Sequence, residues 1–177
     1  SMAAGVVAGA LGLSACGNAK KSEPMADVEQ VQGKVTCRRN PKNGDQISLL
    51  GFGCMRFPTI GGDRYTGSID EEPTRKMVEY AYSRGVNYFD TAWMYHNFQS
   101  EEVLKEVLVQ RYPRDKFTIT SKLPIMMIYT EAKQRETFER QLQKVGVDYF
   151  DYYLVHSLNE NTYKNAVKLH SFEYLQQ

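Results

Sequence analysis

Asp90, Tyr95, Lys122 and His156 are a carboxylate, a phenol, an ammonium and an imidazole in a chain with only three histidines. Asp90 closes the apolar-aromatic run "VNYFD", Lys122 closes "FTITSK" and His156 closes "FDYYLVH"; Tyr95 lies five residues beyond Asp90. Lys122 follows Asp90 by 32 residues and His156 follows Lys122 by 34, each about one strand-helix unit. Taken singly each has a bland explanation: a turn cap, a snorkelling lysine, a satisfied strand-end histidine. Four such groups converging on one rim point instead to proton delivery. A phenol is a poor acid unless its phenolate is stabilised. A neighbouring ammonium does that, and a carboxylate beside the ammonium holds it charged and in place. An imidazole at the same rim can donate to a carbonyl oxygen and orient it. Side chains supply no hydride, so a nicotinamide cofactor is implied.

These residues need elements to position them. From Leu49 onward, strand-like runs ("SLLGFG", "VNYFD", "FTITSK", "FDYYLVH") alternate with helical patterns. The runs are nearly continuous in β-favouring residues, as parallel strands covered on both faces are. Asp70 to Arg84 places Met77, Val78, Ala81 and Tyr82 on one helix face. Ser100 reads as the N-cap of a helix turning Val103, Leu104, Val107 and Leu108 inward. Thr130 opens a third helix with Phe138, Leu142 and Val145 inward, and Gly146 closes it. A fourth runs from Thr162 to Gln177. Ahead of them, Asn43-Gly44 between two short runs is a hairpin signature. A hairpin followed by four β-α units implies a parallel α/β sheet, open or closed into a barrel. In barrels the strands' C-terminal rim carries the active site.

With 177 residues, 42% hydrophobic content and net charge +1, the prior is one globular domain. No basic block is long enough to suggest a nucleic-acid partner. The N-terminus is a separate object. Residues 1–16 hold a small-residue apolar run, too short to span a membrane, ending in Leu13-Ser14-Ala15-Cys16. That pattern looks like an export signal with a bacterial lipobox, Cys16 bearing the lipid. It places the chain on the periplasmic side of a bacterial envelope, touching membrane only through that anchor; the cytoplasm is the alternative. Residues 17–32 read as a polar tether and 33–177 as the folded domain. Cys37 and Cys54 fit no C-x-x-C spacing; two buried thiols are favoured over a disulfide.

The segments "LLGFGCMRFP", "VNYFDTAWMYHNFQSEEVLKEVL", "FTITSKLP" and "VDYFDYYLVHSLN" resemble the opening motifs of the aldo-keto reductase family. The resemblance covers the chain from about Ile47 and implies the N-terminal half of a (β/α)8 TIM barrel preceded by a β-hairpin. It implies reduction of a small carbonyl substrate to an alcohol with NADPH or NADH. Tyr95 would be the proton donor, Lys122 and Asp90 its tuning pair, and His156 the group orienting the carbonyl. Gly53, Met55 and Arg56 match the segment near the nicotinamide. His96 and His170 match no role and are expected at the surface. No metal site is implied. Related longer members carry a ferredoxin-like tail, so an iron–sulfur cluster would require a further cysteine-rich segment. A complete barrel takes about 250 residues. Four units therefore imply a truncated or split reductase with open strand edges prone to self-association, or else a catalytically silent lipid-anchored binding or scaffold fragment.

Overall fold

The computed structural model describes residues 35–63 and 67–176. The expected signal over 1–16, with Cys16, and the tether over 17–32 lie outside the described residues.

The chain opens with an antiparallel hairpin, β1 (Cys37–Arg39) and β2 (Gln46–Ser48), with Arg39 opposite Gln46. Gly44 takes a φ of 84°, the left-handed conformation that lets the Asn43-Gly44 turn close. β3 (Phe52–Gly53), β4 (Tyr88–Asp90), β5 (Thr118–Leu123) and β6 (Tyr152–Val155) follow. They form one parallel sheet in the order β3-β4-β5-β6. Between them run α1 (Glu71–Ser83), α2 (Ser100–Leu104, continuing through a π-helical turn over Lys105–Val109) and α3 (Glu131–Val145). α4 (Glu160–Lys168) and α5 (Ser171–Tyr174) come after β6. Sequential neighbours in a parallel sheet with interleaved helices make half of a (β/α)8 barrel.

Side chains alternate across β5. Ile119 joins Phe89, Val78, Leu104 and Leu108 in the buried layer between sheet and helices. Thr120 and Lys122 face the barrel interior, where Thr120 Oγ1 donates to Tyr88 OH at 2.7 Å. The hairpin closes the N-terminal end. Asn40 Nδ2 donates to Tyr152 OH at 2.8 Å, and Asn87 accepts from Ser48 N and donates to Gln46 O.

Several expectations change. Leu49 and Leu50 are exposed rather than buried strand residues, because the chain bends after β2 and only Phe52–Gly53 pair with β4. On α1 the buried stripe is Thr74, Val78 and Tyr82; Met77 is 44% exposed, one residue and so about 100° round the helix from Val78. In α3, Val145 is buried and Phe138 and Leu142 are half-buried, while Gln134, Thr137 and Gln141 are buried beside them. The fourth helix begins at Glu160 under an Asn159–Thr162 capping box, and a left-handed His170 breaks it. Cys54 is buried but Cys37 is exposed on the hairpin; both are free thiols.

Candidate active site

The parallel register brings Gly53 opposite Asp90 and Asp90 opposite Thr120, so strand ends meet along one rim. Lys122 Nζ donates to Asp90 Oδ1 at 2.5 Å and to Thr91 O at 2.7 Å. The lysine side chain is only 11% exposed, so its ammonium is held largely away from water. The same Nζ lies 4.8 Å from the centre of the Tyr95 ring. His156, in the turn just after β6, stands edge-on to Tyr95 with ring centres 5.7 Å apart. Burial and the Lys122 charge push the His156 pKa down, with Asp90 opposing, so the imidazole favours its neutral form near pH 7. His156 Nδ1 is buried without a hydrogen-bond partner, costly as packing. All four residues singled out by spacing therefore share one site.

Tyr95 sits in the loop 91–99, whose shape is strained. His96, Asn97 and Phe98 take φ values of 50°, 50° and 70°, three non-glycine residues in the left-handed region. Such a run persists only where its surroundings over-determine it. Phe57 N donates to His96 Nε2 at 2.9 Å, Lys144 Nζ donates to Phe98 O, and Lys144 also lies 5.0 Å from the Trp93 ring. His96 is thus 2% exposed, not a surface residue. The turn folds it back against Phe57, and burial lowers its pKa. His170 is exposed, as expected.

Ser100 does not cap α2. Its hydroxyl shares a hydrogen bond with Thr91 Oγ1 at 3.0 Å and donates to Cys54 O at 3.2 Å, tying the Tyr95 loop to the end of β3. Cys54 is fully buried near Asp90 and Lys122, and burial drives its thiol pKa far up, so it sits there as an inert neutral group. Gly53, Met55 and Arg56 are exposed on the same rim.

Sequence reasoning missed the polar layer behind the site, Glu101, Ser121 and Gln141. A glutamate in a helix's first turn and a glutamine mid-helix read as solvent-facing, so no local signal marked them. A polar cleft of about 710 Å³ lies instead at the opposite end, lined by Cys37, Asn87, Arg114 and Asp151, and contains none of the four rim residues. The titratable groups converge at the rim, away from this cleft. Among the described residues, no group of three His, Cys, Asp or Glu side chains is placed to hold a metal ion.

A half barrel with a Lys-Asp pair, a phenol and an imidazole on its C-terminal rim defines the class. The chain belongs to the aldo/keto reductase family, whose model matches residues 49–176. It is 30% identical over 124 residues to the probable aldo-keto reductase 1 of Glycine max, covering 66% of this chain and 34% of that protein. It is 24% identical over 136 residues to the NADH-specific methylglyoxal reductase of Escherichia coli, covering 67% and 41%. The thermostable aldo-keto reductase Tm1743 superposes with a TM-score of 0.61 at 21% identity, covering 80% of this chain and 51% of that one. The chain thus spans about half, or less, of the length of these proteins.

Proposed function

We propose that this chain carries the proton-delivery side of an NAD(P)H-dependent carbonyl reductase acting on a small aldehyde or ketone. The observation that carries the reading is the placement of Lys122 Nζ between Asp90 and the Tyr95 ring. Tyr95 gives its hydroxyl proton to the carbonyl oxygen as that oxygen gains charge. Lys122 stabilises the phenolate left behind, and Asp90 fixes Lys122. His156, neutral near pH 7, donates its ring N–H to the carbonyl oxygen and sets its direction.

The rim fits the planar end of a nicotinamide. Gly53 is exposed and no heavy atom lies within 4 Å of where a Cβ would stand, so a flat ring can approach the strand end. Met55 and Arg56, also exposed, would border it. Bound nicotinamide supplies the hydride that these side chains lack. One relative is named as NADH-specific and acting on methylglyoxal. That supports a small carbonyl substrate here and leaves NADH and NADPH both as cofactors to assay.

The test is aldehyde-dependent NADH and NADPH oxidation by the full-length protein and its Tyr95→Phe variant. Loss of the proton while the ring remains should lower turnover by about 10²–10⁴-fold. Near-normal turnover in Tyr95→Phe would remove the assignment. No turnover by the native full-length protein would favour the silent binding or scaffold reading.

The reading extends to location. Leu13-Ser14-Ala15-Cys16 supports a mature chain beginning at a lipidated Cys16 on the bacterial envelope. One acyl chain binds membrane only marginally, so stable anchoring takes two or more. Mass spectrometry of membrane fractions should find Cys16 with two or three acyl chains. An unmodified Ala15-Cys16-Gly17 peptide in mature protein would leave the cytoplasmic alternative.

A further inference from the structure

Behind the rim, on the helix side of β5, lies a closed polar cluster. Glu101 is 1% exposed, and Ser121 and Gln141 are fully buried. Glu101 Oε1 accepts from Ser121 Oγ at 2.7 Å and from Gln141 Nε2 at 2.6 Å. Gln141 Nε2 also lies within reach of Ser121 Oγ at 3.0 Å and of Lys122 O at 3.2 Å. Tyr153 OH donates to Gln141 Oε1 at 2.5 Å. Glu101 Oε2 is buried without a partner. A carboxyl group this deep is costly unless fully hydrogen-bonded, and here only Oε1 is.

The neighbours of each member say what the cluster does. Glu101 stands on α2, six residues after Tyr95. Ser121 immediately precedes Lys122, and Tyr153 stands three residues before His156. One cluster therefore joins the element following the phenol to the strand of the ammonium and the strand of the imidazole. We propose that Glu101 is a positioning residue, holding Tyr95, Lys122 and His156 in mutual register through Ser121, Gln141 and Tyr153. Its catalytic arm rests on the carbonyl-reductase reading above; its geometric arm does not. Glu101 touches no reacting atom. Its part is to keep Lys122 Nζ between Asp90 and Tyr95, since displacement of about 1 Å can cost 10²-fold in rate.

The experiment compares the native full-length protein with Glu101→Gln, Glu101→Leu and Ser121→Ala. Lysines are acetylated with acetic anhydride, rates are read peptide by peptide, and melting is recorded for each variant. Lys122 should react about tenfold faster in Glu101→Leu, the equivalent of losing one buried hydrogen bond. The half-exposed Lys116 and Lys133 should be unchanged. Glu101→Gln should keep Lys122 slow, because its amide oxygen still accepts both bonds, and Ser121→Ala should fall between. In aldehyde reduction, Glu101→Leu should lose about ten- to hundredfold in kcat with little change in KM. A folded Glu101→Leu whose Lys122 stays as slow as native overturns the proposal. If that variant does not fold, unchanged Lys122 protection in Ser121→Ala overturns it instead. A native protein that reduces no carbonyl counts against the carbonyl-reductase reading alone, because the acetylation rates still decide the role of Glu101.

Discussion

Lys122 is the residue on which the proposed chemistry turns, since its ammonium bonds Asp90 and lies over the Tyr95 ring. Lys122→Met keeps the length and apolar stem but removes the charge and three donors. Asp90 and Thr91 O then lose their partner, and a phenolate forming at Tyr95 has no cation beside it. Carbonyl reduction should fall by at least about 10²-fold, and dissociation constants for NADH or NADPH should change far less; equal losses in binding and turnover would assign Lys122 to cofactor grip. The histidines give a second prediction, in pH. His96 and His156 both have folded pKa values below the ordinary 6.5, chiefly through burial. As pH falls, the unfolded chain takes up their protons first. Their contribution to stability is therefore complete above about pH 6.5 and is lost as pH drops through the lower folded values. Glu101, pushed upward by burial, has the opposite sign: its contribution is complete below about pH 4.5 and fades as pH rises through its folded value. Urea unfolding of Glu101→Gln, which silences that group, should show stability level from pH 8 to 7 and declining toward pH 5. A level profile throughout would mean the imidazoles are not held neutral. Asp90, Lys122 and His156 were legible because polar residues closing apolar runs are conspicuous, and Tyr95 because it lies five residues beyond one of them. His96 was not, because its burial comes from three left-handed residues and a contact with Phe57, 39 positions away.

Caps and stripes decide the elements. α3 starts where Thr130 Oγ1 accepts from Lys133 N at 3.1 Å and ends at Gly146, φ 73°. Both ends were readable because a cap is a local bargain between one side chain and the nearest backbone. Gly146→Ala should lower stability by about 1–2 kcal/mol, the cost of a Cβ in the left-handed region. The added methyl would also meet Lys105 side-chain carbons at 3.1 Å, but that chain is flexible and can give way. A melting temperature lowered by a few degrees is expected, on the order of 2–4 °C per kcal/mol for a domain of this size; an unchanged one would mean that residue 146 leaves the left-handed region at no cost. Helix interiors were less readable. Periodicity marked Val103, Leu104, Val107 and Leu108 correctly, all buried. In α3 it favoured Phe138 and Leu142 over Gln134 and Gln141, because hydropathy cannot foresee that Glu101, Tyr153 and Ser171 supply partners for buried amides. The length of β3 was misjudged for a related reason. "SLLGFG" has strand propensity, but pairing depends on where β2 ends.

At the scale of the molecule, alternation of strand and helix was enough to give the parallel order, since each right-handed crossover sets the next strand beside the last. What alternation cannot show is how the free edges are covered. Among the described residues β3 and β6 each pair on one side only, and the inward face of the sheet has no opposite wall. Leu154, level with Lys122 in the β5–β6 register, is 44% exposed. After β6, Leu158 and, on α4, Tyr163 and Val167 add exposed apolar surface. Full burial of one such side chain is worth about 1.5–3 kcal/mol. Association costs roughly 4–15 kcal/mol, so several must be covered together, with the edge hydrogen bonds, for a partner to hold. A second copy offers both a matching apolar face and an open edge, and neither edge carries the prolines or bulges by which natural strands resist pairing. Residues 17–177 expressed by themselves should therefore elute as a dimer or larger species in size-exclusion chromatography. They should show no micromolar NADPH binding by fluorescence titration, because the phosphate site of such barrels is usually built after strands seven and eight. Charge substitutions on this exposed apolar surface, Leu154→Lys on β6 with Val167→Lys on α4, should shift the elution toward monomer. A native segment that runs as a stable monomer, binds NADPH at micromolar concentration and reduces an aldehyde would refute this account of the edges and make four β-α units a sufficient reductase.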